Sequence, residues 1–218
     1  MLFFFVLGWL VLQRLIELRI AKRNEKRLID KGAVEFGSGH YPWMVLLHCA
    51  FFLSLLAEVQ GFGKTPHRYW IFLLLLFFCL QMARIWIITS LGPYWNTKII
   101  VLKGAEAIKK GPYRWIRHPN YWLVTLELIL IPLLFQAYIT LFLFFLLNQS
   151  MLRIRIRTEE KALLAYTNYI KTCWSASFGQ SENEMYVKND IENDSRLCYS
   201  LITNENDYHV HEKRGAKP

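Results

Sequence analysis

The stretch Trp122–Leu152, WLVTLELILIPLLFQAYITLFLFFLLNQSML, decides the fold. It is 31 residues long, and Glu127 is its only charged residue. Because an α-helix rises about 1.5 Å per residue, this stretch is longer than the roughly 20 residues of one bilayer crossing. Pro132 interrupts it near the middle and is followed by the polar Gln136. The pattern therefore predicts a hairpin of two short membrane helices, at about 121–134 and 137–152.

Three further apolar stretches precede this hairpin. They are Met1–Ile20, Tyr41–Val59 and Tyr69–Leu91, each close to the length of one membrane span. The first lacks the basic start and small-residue cleavage site of a signal peptide, so we interpret it as a retained helix. With 54% hydrophobic residues gathered in such blocks, a disordered chain and a soluble globule are both disfavoured. The sequence predicts an all-α integral membrane protein with about five transmembrane helices.

The charges between these stretches predict the orientation. The loops 19–40 and 92–120 each carry six Lys or Arg residues, and segment 153–172 carries five. The loop 60–68 carries only two, and the hairpin turn none. Because basic loops stay on the cytoplasmic side, we expect a multi-pass protein of the cell membrane with its N-terminus outside and its C-terminus in the cytoplasm.

A few polar residues fall inside the predicted spans. Arg14 and Glu17 are three residues apart, so they lie on one helical face. Arg84 is near a helix end and is expected to extend toward the interface, although charges inside a membrane are often functional. Glu127 is expected to neutralise an arginine or to donate a hydrogen bond while protonated. His48 is interpreted as a core histidine rather than a ligand.

Charge and composition also divide the chain. Residues 1–172 have a net charge of +12 and residues 173–218 a net charge of −3. We therefore predict a membrane domain over 1–172 and a polar, disordered tail over 173–218. The four cysteines are isolated, which gives little support for a metal site or a disulfide framework. The basic body favours membrane lipids over nucleic acid as its partner.

Two cytoplasmic segments flank the hairpin and carry unusual residues. The first is Gly111–Tyr121, GPYRWIRHPNY, and the second is Arg153–Leu164, RIRIRTEEKALL. Taken separately, the first has the composition of an interfacial anchor and the second that of a solvated helix end with ordinary i,i+4 ion pairs, such as Arg155 with Glu159. Because a hairpin returns the chain to the same side of the membrane, both segments are predicted to meet in one cytoplasmic pocket.

Together the two segments resemble the isoprenylcysteine carboxyl methyltransferase family, and in particular its small bacterial branch. That family has G-x-Y and R-H-P-x-Y before a helical hairpin, then an arginine four residues ahead of a Glu-Glu pair and a leucine. The matching residues here are Gly111, Tyr113, Arg117, His118, Pro119, Tyr121, Arg155, Glu159, Glu160 and Leu163. Leu123 departs from the pattern, because the family usually has glycine at this position.

The resemblance implies a membrane methyltransferase that uses S-adenosylmethionine. The residues that it implies for cofactor binding are Tyr113, His118, Pro119, Asn120 and Tyr121. Arg155 and Glu159 match residues on the lipid-substrate side of the family's pocket. If the acceptor is a carboxylate, Arg155 or Arg117 is expected to orient it, and if it is a hydroxyl, Glu159 is the candidate base. No metal is implied.

The sequence does not identify the molecule that accepts the methyl group. The small bacterial relatives are associated with O-methylation of lipophilic molecules, whether the acceptor group is a carboxylate or a hydroxyl on a prenyl, polyketide or fatty chain. The alternatives are N-methylation of a phospholipid or small amine, an NADPH-dependent membrane reductase of the sterol or isoprenoid type, and a non-enzymatic membrane scaffold. No phosphate-binding loop or dinucleotide-binding glycine motif is present in the sequence.

Overall fold

The computed structural model describes residues 1–105 and 108–167, which form five α-helices and one pair of antiparallel strands. In chain order the elements are α1 (Leu2–Asp30), β1 (Val34–Phe36), α2 (Tyr41–Gly61), α3 (Trp70–Leu91), β2 (Ile99–Val101), α4 (Pro119–Leu134) and α5 (Tyr138–Tyr166). The predicted helical fold is confirmed. The structure also contains an antiparallel strand pair, with Glu35 opposite Ile100, which was not predicted. Strands of three residues are too short to produce a recognisable sequence pattern. The predicted tail, 173–218, lies outside the described residues.

The hairpin turns over three residues between α4 and α5. Pro132 lies in the last turn of α4, and its carbonyl accepts a hydrogen bond from the Ala137 N–H at 2.8 Å. Gln136 adopts a left-handed backbone conformation with φ of +56°, and its side-chain amide donates to the Thr65 carbonyl at 3.1 Å. The two helices are also joined in the middle, where Asn148 Nδ2 donates to Thr125 Oγ1 at 3.2 Å.

The second helix of the hairpin is longer than the sequence predicts. We expected it to end at about residue 152, but α5 continues to Tyr166. The basic segment that follows the apolar stretch consists of good helix formers without Gly or Pro, so the helix does not stop where the hydrophobicity does. This extension places the Glu-Glu pair within the same helix as the second half of the hairpin.

Three of the helical segments are long and apolar enough to cross a membrane. They are Ser38–Gly61, Trp70–Tyr94 and Tyr138–Tyr166, while Pro119–Leu134 is shorter. Their outward-facing surfaces are apolar, as at Leu53 and Phe142, whose exposed fractions are 68% and 66%. Large exposed apolar surfaces of this kind are expected where lipid rather than water surrounds the helices.

A carboxylate from α2 caps the beginning of α5. Glu58 is buried, and its Oε1 and Oε2 accept the backbone N–H groups of Ile139 and Thr140 at 3.2 and 2.7 Å. The Thr140 hydroxyl donates to the same carboxylate at 2.7 Å. Because the first N–H groups of a helix have no partner within the helix, Glu58 satisfies donors that would otherwise be buried unpaired.

We expect Glu58→Ala to lower the free energy of unfolding by about 1–3 kcal/mol, since two buried N–H groups lose their acceptor. Thermal unfolding of purified protein in detergent, followed by tryptophan fluorescence, measures the change. Gln60→Ala, at an exposed position two residues away on α2, is the control. Equal midpoints for the two variants would show that the Glu58 cap contributes nothing to stability.

An ionic cluster of Arg14, Glu17, Arg84 and Glu127 joins α1, α3 and α4. Arg84 is only 2% exposed; its Nη1 donates to Glu17 Oε1 at 3.0 Å and its Nε to Glu127 Oε1 at 3.0 Å. Arg14 contacts the same two carboxylates at 2.8 and 3.1 Å. Gln13 and Gln81 each donate one further hydrogen bond to the cluster.

This cluster corrects one expectation and confirms another. The prediction that Arg84 extends toward the interface is wrong, because two buried carboxylates on other helices hold its guanidinium inside the protein. Its position within α3 could not reveal them, since they lie 67 and 43 residues away in sequence. The expectation that Glu127 neutralises an arginine is confirmed. His48 is partly buried and bonds the Met44 carbonyl at 2.8 Å, as a structural histidine does.

Candidate active site

The loop before α4 is fixed against the end of α3. Gly111 has φ of +54°, and a Cβ atom there would lie 2.1 Å from Ser90 Oγ, so only glycine fits without a shift. A short 3₁₀ turn, Gly111–Arg114, follows, and α4 begins at Pro119. Proline suits this first helical position because its missing N–H would have no helical partner there. The loop therefore places His118 immediately before the first residue of α4.

His118 and Tyr121 meet the Glu-Glu pair of α5. The two rings stack with centroids 5.3 Å apart and planes inclined by 21°. His118 Nε2 lies 3.3 Å from Glu160 Oε1, and its Nδ1 lies 3.9 Å from Glu159 Oε2. The Tyr121 hydroxyl donates a hydrogen bond to Glu159. The predicted convergence of the two motif segments is thus present in the structure.

Arg155 completes this group of side chains from the α5 side. It is buried, and its Nε donates to the Tyr121 hydroxyl at 2.8 Å. Its Nη2 donates to the Thr97 carbonyl at 2.6 Å, and its Nη1 lies 3.1 Å from Met44 Sδ. The alternative interpretation of a solvated i,i+4 pair with Glu159 is therefore wrong: Tyr121 stands between the two charged groups. We call His118, Tyr121, Arg155, Glu159 and Glu160 the site cluster.

The other predicted site residues lie on this loop or in the first turn of α4, and their surroundings differ. Burial, and then the nearby Glu159 carboxylate, raise the pKa of Tyr113, so its phenol stays protonated near neutral pH. Pro119 is buried, and Asn120 carries a buried Oδ1 without a hydrogen-bond partner among the described residues. Arg117 is exposed and makes none of the contacts of the site cluster.

Residues of the N-terminal half support the site, and the motifs did not reveal them. Asn24 of α1 is buried and donates to the carbonyls of Trp95 and Gly92 at 2.8 and 3.1 Å. These bonds hold the segment that continues to Thr97, and the Thr97 carbonyl binds Arg155. Because the contact uses a main-chain atom, no residue type at position 97 signals it. Asn24 lies in α1, and the sequence does not show that it is buried or that it contacts these carbonyls.

An ion-paired lysine fixes the far end of the same segment. Lys98 Nζ lies 2.8 Å from Glu25 and 3.2 Å from Glu35. Although partial burial lowers it, the hydrogen bonds to these two carboxylates raise the pKa of Lys98 overall. Within residues 1–105 and 108–167, no group of three or more His, Cys, Asp or Glu residues is placed to hold a metal ion. The chemistry available here is that of carboxylates, a guanidinium, an imidazole and phenols.

Comparison with known proteins is consistent with this site. The isoprenylcysteine carboxyl methyltransferase (ICMT) family matches residues 72–165, the part of the chain that holds the site cluster. No solved structure matches the chain at a significant level.

Two bacterial relatives extend the similarity over most of the chain. The uncharacterized protein YpbQ of Bacillus subtilis (strain 168) is 46% identical over 166 residues, which are 76% of this chain and 99% of the relative. An uncharacterized protein of Haemophilus influenzae is 31% identical over 155 residues, or 69% of this chain and 88% of the relative. With the motif residues gathered between α4 and α5 and the family matched across them, the chain belongs to the isoprenylcysteine carboxyl methyltransferase family of membrane methyltransferases.

Proposed function

We propose that this protein transfers a methyl group from S-adenosylmethionine to an oxygen of a lipophilic acceptor at the cytoplasmic face of the membrane. The acceptor group is a carboxylate or a hydroxyl on a prenyl, polyketide or fatty chain. The observation that supports this most is the site cluster, in which the two motif segments of a methyltransferase family touch through Tyr121. The basic loops on the same side support a cytoplasmic site and an external N-terminus.

The residues of this loop and of the first turn of α4 fit the cofactor. Tyr113, His118, Pro119, Asn120 and Tyr121 would hold it. The unpaired Asn120 Oδ1 is a buried acceptor suited to an ammonium or amine N–H, and the ring faces of His118 and Tyr121 suit a cation or a purine. The Glu159 and Glu160 carboxylates add the negative charge that a sulfonium compound requires. When bound, S-adenosylmethionine supplies a methyl group on sulfur and leaves as S-adenosylhomocysteine.

The acceptor side of the site is assigned to Arg155 and Glu159. Arg155, held by Tyr121 and the Thr97 carbonyl, presents a fixed positive charge that orients an anionic oxygen. Arg117, exposed on the neighbouring loop, is a second candidate for this contact. A carboxylate acceptor needs no base, whereas a hydroxyl acceptor gives its proton to Glu159 as its oxygen forms the new C–O bond. The chain mainly supplies proximity and a pocket with little water.

The alternative functions differ in what they bind or methylate. An amine acceptor would make the protein an N-methyltransferase, and the carboxylates of the cluster would suit a cationic headgroup as well. A reductase would bind NADPH instead, and a scaffold would bind neither cofactor. O-methylation is favoured because the buried Arg155 is suited to orient an anionic oxygen.

Cofactor binding tests this proposal directly. Purified protein in detergent is expected to retain radiolabelled S-adenosylmethionine and to ignore NADPH. His118→Ala and Tyr121→Ala remove aromatic faces, so each is expected to weaken cofactor affinity by about three- to thirty-fold. Tyr138→Ala, at an exposed position at the other end of α5, serves as the control.

Two results would contradict the proposal. Retention of NADPH in place of S-adenosylmethionine would identify a reductase, and retention of neither by folded protein would favour the scaffold. The acceptor can be sought by mass spectrometry of lipid extracts from cells with and without the gene. We expect pairs of species that differ by one methylene, with oxygen rather than nitrogen as the methylated atom.

A further inference from the structure

A buried asparagine of α1 holds the segment between α3 and β2. Asn24 is 5% exposed, and its Nδ2 donates to the Trp95 carbonyl at 2.8 Å and to the Gly92 carbonyl at 3.1 Å. A side-chain amide has two N–H donors on one nitrogen, whereas a hydroxyl has one and a carboxylate none. Without the amide, the Trp95 carbonyl would lose this donor in a buried place, which favours a shift of the backbone.

Such a shift is close enough to reach Arg155. Residues 95–98 belong to no helix or strand, so contacts with other elements determine the path of their backbone. Trp95 is extended, with ψ of 124°, and the Thr97 carbonyl two residues later accepts a hydrogen bond from Arg155 Nη2 at 2.6 Å. Two extended residues span at most about 7 Å. The carbonyl that Asn24 holds therefore constrains the carbonyl that holds Arg155.

The Thr97 carbonyl also keeps Arg155 from a competing partner. Glu159 lies four residues further along α5, a spacing at which an arginine and a glutamate readily form an ion pair. In the structure the Tyr121 hydroxyl stands between them, donating to Glu159 and accepting from Arg155 Nε. A guanidinium released by Thr97 would keep only part of its restraint and could turn toward Glu159, which would neutralise its charge.

We propose that Asn24 is a positioning residue of the site, which fixes the Thr97 carbonyl and thereby holds the Arg155 guanidinium in the orientation used for methyl transfer. This inference rests on the proposed function. It adds a residue of α1, outside the residues 72–165 that the family matches. Asn24 acts through the backbone of residues 95–97 and not by touching a reacting group.

Chemical modification of arginine tests the positioning without an acceptor. The full chain in detergent is treated with phenylglyoxal, which reacts with accessible guanidinium groups, and peptide mass spectrometry measures the rate at each arginine. In the wild type we expect slow modification of the buried Arg155 and fast modification of the exposed Arg157. Asn24→Ala is expected to raise the rate at Arg155 by about tenfold. Arg84, buried in the ionic cluster, should stay slow in the same sample.

The matched control is Asn148→Ala. Asn148 is also buried, at 3% exposed, and donates to Thr125 between α4 and α5, with no hydrogen bond to the segment 92–98. We expect it to change the rate at Arg155 by less than about twofold, because distant, unconnected sites act independently. Asn24→Leu keeps most of the side-chain volume and removes the donors, so it should behave like Asn24→Ala. Size-exclusion chromatography confirms that each variant is folded.

The effect on the reaction is measured in cells that produce each variant. The signal is the amount of those lipid species that gain a methylene only when the gene is present, divided by the amount of protein in the membrane. Asn24→Ala is expected to lower it by about tenfold, while retention of S-adenosylmethionine by the purified variant changes by less than about twofold. A merely structural role would lower the two together.

Three results would overturn the assignment. An unchanged rate at Arg155 in folded Asn24 variants, or an equal rise in Asn148→Ala, would show that Asn24 does not fix the guanidinium. A faster rate at Arg155 with an undiminished lipid signal would show that the orientation does not serve the reaction. Failure of the wild type to retain S-adenosylmethionine would contradict the proposed function instead, and the modification rates would still report on the contact between Asn24 and Arg155.

Discussion

Replacing Arg155 with alanine is expected to reduce turnover by about 10²–10³-fold while cofactor affinity changes little. Arg155 is buried and fixed at two points, by the Tyr121 hydroxyl and the Thr97 carbonyl. A charge held in this way is suited to orient an anionic oxygen without reorganising during the reaction. Its loss is therefore expected to lower the rate of methyl transfer more than the affinity for the cofactor. Methyl transfer to the lipid acceptor, measured at saturating S-adenosylmethionine, gives the turnover.

The matched control for this change is Arg157→Ala. Arg157 lies two residues further along α5 and is exposed, so the same loss of charge occurs outside the site cluster. We expect it to keep turnover within about twofold of the wild type. If Arg155→Ala weakened cofactor binding as strongly as His118→Ala and left turnover intact, the division of roles within the cluster would have to be reversed.

Replacing Arg84 with methionine is expected to lower the free energy of unfolding by about 3–5 kcal/mol, because Glu17 and Glu127 lose the buried cation between them. Arg14 contacts both carboxylates but cannot neutralise two charges alone. One carboxylate is then left without a counter-ion and must become protonated or exposed, and either change costs free energy. Thermal unfolding in detergent, with size-exclusion chromatography to count folded protein, measures the loss.

A second variant separates lost charge balance from lost packing. Adding Glu127→Gln to Arg84→Met leaves Glu17 paired with Arg14 and removes the excess negative charge. We expect this double variant to recover a large part of the lost stability. Arg19→Met, at an exposed position on α1, is the control for the loss of an arginine. If the double variant were less stable than Arg84→Met, charge balance would not explain the effect.

The sequence predicted the helices and the meeting of the two motif segments, because apolar length and motif residues are both visible along the chain. Apolar length predicted the helices, and the motif segment 113–121 with the Glu-Glu pair indicated which segments would meet. Prediction failed where contacts join distant parts of the chain. The partners of Arg84 come from α1 and α4, and the anchor of Arg155 is a main-chain carbonyl at Thr97. Spacing within one helix carries no information about either contact.

The end of α5 shows a related difficulty. Hydrophobicity falls after Leu152, so a membrane criterion ends the helix there, although its hydrogen bonds continue to Tyr166. Arg155 and Glu159, to which we assign the acceptor side of the site, lie on this polar extension. Helix propensity, rather than apolar length, is the signal that locates them.

The buried arginine has a consequence for how this protein can be dissected. The family similarity begins at residue 72, inside α3, yet Arg84 takes one of its two counter-ions from Glu17 of α1. A gene trimmed to the family boundary would remove Glu17 together with Arg14, so Arg84 would keep Glu127 as a counter-ion and lose the hydrogen bonds that its Nη1 donates. We therefore expect the N-terminal helix to contribute to folding, and split or circularly permuted versions should keep it alongside the half that carries the site cluster.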